Sequence, residues 1–151
     1  WIKRGGDDGR PGYVYLGNSP ALERDYRKPT KAYEIYNKAR QANAANQESL
    51  LREGFGALRT CYEAFIIFDM FNEVVMRFDE RISFGRLRDV CWEPSIVKDV
   101  IESCERLSRN LEGHLHSDAF GAVKPTPSDL LREIEHFKSL RDKLKGLKKS
   151  S

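Results

Sequence analysis

The run Arg109-Asn110-Leu111-Glu112-Gly113-His114-Leu115-His116 puts a permanent cation, an amide and two of the three histidines within eight residues. Arginine grips a phosphate through a fixed fork of donors. Histidine exchanges protons near neutral pH. No cysteine or cage of carboxylates surrounds these groups in the sequence, so they suit chemistry on a phosphate better than metal binding. A plainer reading stands beside this one. Gly113 ends a helix there, and His114 and His116 serve its exposed carbonyls.

A second pair bears on the choice. Arg59 and Glu63 are four residues apart, a spacing that puts both on one helix face. The stretch around them is apolar, so burying them costs free energy unless they find partners. An intrahelical ion pair is the simplest outcome. The functional alternative has Glu63 orienting a histidine or arginine of the octet and Arg59 contacting the phosphate. Asp69, Glu73, Asp79 and Glu80 form an acidic group that reads as a solvated face, since nothing else with ligand spacing converges on them. Cys61, Cys91 and Cys104 lack CxxC spacing and make neither a disulfide framework nor a zinc site. Cys61 and Cys104 fall on apolar helix faces, where thiols act as small core residues. A reducing cytoplasm suits them.

The elements that must position these residues follow from periodicity. Pro29 suits a first helical turn, and Ala32, Ile35, Tyr36 and Ala39 carry a helix to about Asn43. A loose connection over 42–46 leads to the longest helix, about Gln47 to Phe78. It is apolar on more than one face, which places it centrally. Gly54 and Gly56 allow a close helix contact or a kink. Arg81 to Arg88 fits a short strand or a helical turn equally well. Pro94 opens the helix of the octet, to about Leu111, with the stripe Ile96/Val97, Val100/Ile101, Cys104, Leu107 and Leu111. Ser128 or Thr126 can cap the last helix, Pro127 to Leu147, whose buried face is Leu130, Leu131, Ile134, Phe137, Leu140 and Leu144. The expected fold class is all-α, an antiparallel bundle of four principal helices over residues 29–147, with a tail at 148–151.

Residues 1–28 read as irregular. Gly5 to Gly12 is dense turn chemistry but no phosphate-binding loop, because no GK[ST] follows. Tyr13 to Leu16 can form one short strand, with no evident partner. Trp1-Ile2-Lys3-Arg4 reads like the middle of a longer protein.

Composition sets outer limits. Of 151 residues, 40% are hydrophobic and 32% charged, ordinary for one globular domain. The longest apolar run, Ala64 to Phe68, is far too short to span a bilayer. No membrane partner is expected, and the cytoplasm is the expected location. A net charge of +3 permits a nucleic-acid partner without demanding one. Lys143, Lys145, Lys148 and Lys149 read as a solubilising tail.

Arg109-Asn110-x-x-x-His114 resembles the R-N-x-x-x-H signature of HEPN ribonucleases, a superfamily of small helical bundles. Its looser pattern, Arg then four to six residues then His, is met by both His114 and His116. Arg59, Glu63 and a later His also resemble the Arg-x-x-x-Glu…His arrangement of bacterial anticodon nucleases, which carry a HEPN-like domain behind an ABC-type ATPase. The interval from Glu63 to His114 is longer than in those enzymes. The resemblance covers roughly residues 30–147. It implies a metal-independent endoribonuclease acting on RNA, tRNA among the candidates, as the toxic effector of an anti-phage or toxin system. It further implies a homodimer and no cofactor in this domain, with ATP in a linked ATPase whose trailing edge would be Trp1 to Leu16. His114 would move the protons, Arg109 stabilise charge on phosphorus, Asn110 orient, and Glu63 hold the histidine or arginine. On an unbroken helix His116 shares the stripe of Glu102, Arg106 and Arg109, whereas His114 continues the stripe of Val100, Cys104, Leu107 and Leu111. The motif favours His114 as catalyst and leaves His116 as a substrate contact. The competing expectation is a non-catalytic helical module docking on an ATPase or partner protein. A catalytic Arg109 and His114 should line an open groove, whereas structural ones should be capped and satisfied.

Overall fold

The computed structural model describes the backbone of residues 2–3, 13–14, 24–76, 81–120 and 124–150, and the side chains of 25–76, 81–111 and 124–149. The protein is all-α in its main body. Strands β1 (Ile2–Lys3) and β2 (Tyr13–Val14) pair antiparallel, Ile2 with Val14 and Lys3 with Tyr13. The strand expected at Tyr13 therefore has its partner within the chain, with Tyr13 facing Lys3 ten residues back. The turn residues between them lie outside the described residues.

After a 3-10 turn at Arg24–Arg27, α1 (Thr30–Gln41) buries the predicted Ala32, Ile35, Tyr36 and Ala39. The connection to α2 (Ala44–Ala64) is tighter than its polarity implies. Asn43 caps α2 by accepting from Asn46 N at 3.0 Å, and Gln47 Nε2 donates back to Ala39 O at 2.9 Å. Capping satisfies an orphan amide of the first turn, which lets the alanines 44–45 enter the helix.

α2 ends earlier than the apolar run predicts. It widens into a π-helical turn at Phe65–Met70, and Phe71 N bonds Ile66 O at 2.9 Å. Asn72 and Glu73 then take left-handed backbone, φ 48° and 57°, which stops the helix before Phe78. Two consecutive non-glycine residues there are strained. They are held by Arg86, which is ion-paired to Glu73, and by the Asn72 amide, which donates to Asp89 Oδ2 at 3.3 Å. The ambiguous segment from Arg81 to Arg88 resolves as a 3-10 helix, Phe84–Asp89.

α3 (Pro94–Phe120) is the main departure from expectation. Gly113 does not end it; the helix passes through both histidines. One interior glycine costs only about 1 kcal/mol relative to alanine, too little to stop a helix with a buried stripe. α4 (Pro127–Ser150) starts with a reciprocal cap. Thr126 N donates to Asp129 Oδ2 at 2.8 Å, and Asp129 N to Thr126 Oγ1 at 3.3 Å. The backbone bond from Thr126 holds the Asp129 carboxyl below its ordinary pKa. Thr126, not Ser128, is the cap.

α2 touches α1, α3 and α4. Lys124 meets Glu48, Tyr62 packs on Phe137, and Asp69 pairs with Arg141, so α2 and α4 run the same way. Arg106 meets Glu133 while Lys143 meets Asp99, so α3 runs against α4. The core centres on Phe55, Leu58, Tyr62, Phe65, Leu107 and Phe137, all nearly solvent-free. Ile96, Val100 and Leu107 of the predicted α3 stripe are buried, but Ile101 faces outward at 54% exposure. No helix among the described residues is long and apolar enough to cross a membrane.

The two glycines of α2 differ. A Cβ on Gly54 would lie 2.5 Å from Leu130 Cδ2 and 3.3 Å from Ile35 Cγ2, so this glycine marks the close approach of α1, α2 and α4. Nothing lies within 4 Å of a Cβ on Gly56. Gly54→Val should destabilise by about 2 kcal/mol through overpacking. Gly56→Ala should stabilise by roughly 0.5 to 1 kcal/mol through helix propensity. Urea midpoints of the two variants check both signs, and equal shifts would refute the close-approach account.

Candidate functional site

Arg109 projects from α3 into solvent and has no ion pair among the described residues. A polar residue on a helix interior is free to do so because the buried stripe, Val100 to Leu107, holds the opposite side of the helix. Asn110 is half-buried. His114 and His116 belong to the same unbroken helix, but their side chains lie outside the described residues. Helical register nonetheless relates the positions. At about 100° per residue, seven residues return to nearly the same face, so position 116 follows 109. Position 114 stands about 140° round the helix from 109, towards the side of Leu107.

Arg59 is exposed and Glu63 half-buried on α2. Both act on Cys104 of α3. Burial raises the Cys104 thiol pKa most, Arg59 opposes it and Glu63 adds to it. This sets the pair at the seam between α2 and α3. Cys104 precedes Arg109 by five residues, again about 140° round the helix, and precedes His114 by about 15 Å of helix. The seam pair of α2 thus stands beside the Cys104 face of α3, about 140° round that helix from Arg109.

The acidic group is drawn onto arginines. Asp69 pairs with Arg141 at 3.7 Å, and Glu73 with Arg86 and with Arg27 at 3.7 Å. Asp79 and Glu80 lie outside the described residues. Among the described residues no group of three His, Cys, Asp or Glu is placed to hold a metal ion.

One polar network escaped the sequence reading. Arg106 forks onto Glu133 of α4, Nε to Oε1 at 2.9 Å and Nη2 to Oε2 at 3.1 Å, and Nη2 also donates to Ser103 Oγ at 2.9 Å. The Glu133 bonds hold the Arg106 pKa above its ordinary value. Ser103 keeps a hydroxyl proton that can turn to Tyr62, whose buried Oη otherwise lacks a hydrogen-bond partner. Burial pushes the Tyr62 phenol up to about 12, with Ser103 pulling against it. The signal was present: Glu133 falls three residues after Leu130 and four before Phe137, on the buried stripe of α4. A carboxylate there requires a cationic partner. The network pins α3 to α4 one turn before Arg109.

Cys61 is fully buried against Lys28 O at 3.6 Å, and burial pushes its thiol up to about 12. It is an inert core residue rather than a nucleophile.

Compared with known proteins, the chain matches no protein-family model, no curated protein and no solved structure.

Proposed function

We propose that this chain is the catalytic domain of a metal-independent endoribonuclease of HEPN type, built as an antiparallel four-helix bundle. The observation that carries the proposal is Arg109, exposed on a helix that continues unbroken through both histidines. A guanidinium whose only task was capping would be drawn onto carbonyls or a carboxylate. Arg109 stands instead where an incoming phosphate can reach it. The Arg106–Glu133 clamp supports the reading further, because it holds the helix that presents Arg109 against α4.

In this reading the RNA's own 2′-hydroxyl attacks the adjacent phosphorus. His114 takes the hydroxyl proton or returns one to the leaving 5′-oxygen. Arg109 offsets the charge that builds on the phosphoryl oxygens. Asn110 orients the phosphate, and His116 contacts substrate. The products are a 2′,3′-cyclic phosphate and a 5′-hydroxyl. The proposed setting is a toxic effector linked to an ABC-type ATPase, with tRNA among the candidate targets.

A single chain holds Arg109 on the outer face of α3, and Arg59 with Glu63 on α2 beside Cys104. A second copy brings a second octet to the phosphate, since one octet offers few groups for both proton transfers and phosphate binding. The protein should therefore scatter light as a species of twice the mass of one chain, and cleavage per chain should fall on dilution below the dimer's dissociation constant. A monomer that cleaves at full rate would overturn the two-copy site.

The second reading, a non-catalytic helical module that docks on a protein, is favoured by the exposed Trp92 and Ile101, which border one depression. Exposed apolar side chains in one region mark interaction surfaces. Cleavage of a single-stranded RNA by purified protein, lost in Arg109→Ala, decides for the nuclease.

A further inference from the structure

The segment between the π-helical turn and α3 is the most exposed part of the described chain. Every residue from Arg81 to Asp89 is exposed, with Phe84 at 72%, Leu87 at 54% and Ile82 at 52%. Trp92 follows at 61%. Three arginines, 81, 86 and 88, are interleaved with these side chains against one aspartate, Asp89. Arg86 is held by Glu73, and Asp89 by Asn72. Arg81 and Arg88 have no ion pair among the described residues.

Leaving Phe84 in water is costly for a chain that has a core to receive aromatic rings, and Trp92, edge-on to Phe71 at 6.1 Å between ring centroids, still exposes most of its surface. The backbone here is not loose. Ser83 N bonds Val74 O at 2.9 Å, Cys91 N bonds Met70 O at 2.9 Å, and Arg86 is tied to Glu73. The exposure is therefore built in. Aromatic faces set among unpaired guanidinium groups are the combination that holds single-stranded nucleic acid: bases stack on the rings while phosphates meet the cations. A protein surface would answer the rings but would have to supply carboxylates to Arg81 and Arg88. An RNA strand answers both at once.

We infer that Arg81, Phe84, Arg88 and Trp92 form a docking surface for single-stranded RNA, separate from the face that carries Arg109. The inference rests on the ribonuclease reading for the choice of RNA among polyanions. Trp92 also borders a shallow depression of about 350 Å³ with Val97, Ile101, Glu102 and Glu105 on α3. Glu102 takes up the charge of Lys98 at 3.8 Å and Glu105 adds an exposed carboxylate, so that depression offers phosphate no net cation and the docking surface is the segment before Pro94. From Pro94 to Arg109 the helix advances about 22 Å. The surface thus grips RNA at a distance from the scissile phosphate and contributes to affinity, not to the chemical step.

The test uses the 151-residue chain and a fluorescein-labelled 2′-O-methyl RNA oligonucleotide of mixed sequence. That probe lacks the attacking hydroxyl and reports binding without cleavage, so its outcome is independent of the nuclease reading. Anisotropy should show the single strand binding more tightly than the corresponding duplex. Phe84→Ala and Trp92→Ala should each weaken binding by about tenfold, within the range for losing one stacked base. Arg81→Ala combined with Arg88→Ala should weaken it and lower the salt slope by about 1.4, two phosphate contacts at about 0.7 each. Equal affinity for duplex and single strand would overturn the inference. So would binding unchanged in the Phe84 and Arg81/Arg88 variants, or an absence of RNA binding alongside self-association lost in Phe84→Ala. Circular dichroism of each variant verifies the fold, and the exposed positions of Arg81, Phe84 and Arg88 lie outside the core.

Discussion

Arg109→Ala is expected to slow RNA cleavage by at least about a hundredfold, the scale of losing one preorganised donor to a transition-state oxyanion. The helical circular dichroism should be unchanged, because Arg109 is exposed and holds no ion pair among the described residues. Parent activity should persist in EDTA, since the nucleophile is the substrate's own hydroxyl. Strict dependence of the chemical step on a divalent ion would sink the mechanism. Arg109→Lys should recover only part of the rate, because an ammonium keeps the charge but not the fork. The histidines extend the same experiment. His114→Ala is expected to lose roughly two orders of magnitude in single turnover, the usual scale of general acid–base catalysis, and His116→Ala much less. The unbroken α3 sharpens this contrast, because position 116 lies on the face of Arg109 and position 114 does not. If His116→Ala proves the more damaging, the proton transfer belongs to the Arg109 face and the motif spacing misassigns it.

Arg106→Ala should destabilise the protein by about 3 kcal/mol, the low end of the range for breaking a buried ion pair. The loss arises mainly from what remains. The Glu133 side chain is only 6% exposed, and without the guanidinium its carboxylate is stranded among apolar neighbours. Glu133→Ala should cost less, about 2 kcal/mol, because the Arg106 side chain is 36% exposed and can rehydrate. The double variant with Glu133→Leu should recover much of the loss, since an apolar pair can replace a buried salt bridge at little cost. Urea midpoints with unchanged slopes check all three. Equal losses from both single substitutions would mean that the pair is better hydrated than its geometry indicates.

These predictions separate what periodicity can reveal from what it cannot. The stripes of α1 and α4 were legible because an apolar residue at every third or fourth position lines one helix face that must leave water, and Ile35, Leu130, Ile134 and Phe137 all did. The all-α class followed from the same stripes. Thr126 as a cap was legible because Thr-x-x-Asp is a local signal that closes within four residues. Asn43 carried the same kind of signal, yet the alanines and asparagines after it read as a connection. Arg109 as a solvent-facing cation was legible from its place opposite Leu107 on the wheel.

The ends of helices were decided elsewhere. α2 stops where Asn72 and Glu73 turn left-handed, held by Arg86 and Asp89 more than a dozen residues onward. α3 continues through Gly113 because one interior glycine costs only about 1 kcal/mol relative to alanine. The partner of each charged residue was likewise a matter of three dimensions. By sequence alone Arg106 and Arg109 are two cations on one polar stripe. Only the approach of α4 gives Arg106 a buried carboxylate and leaves Arg109 to solvent. Spacing sets the angle of a residue on its own helix, because the backbone's local geometry is rigid. Which helix stands opposite that angle depends on how several stripes pack at once, and that information is distributed over the whole chain.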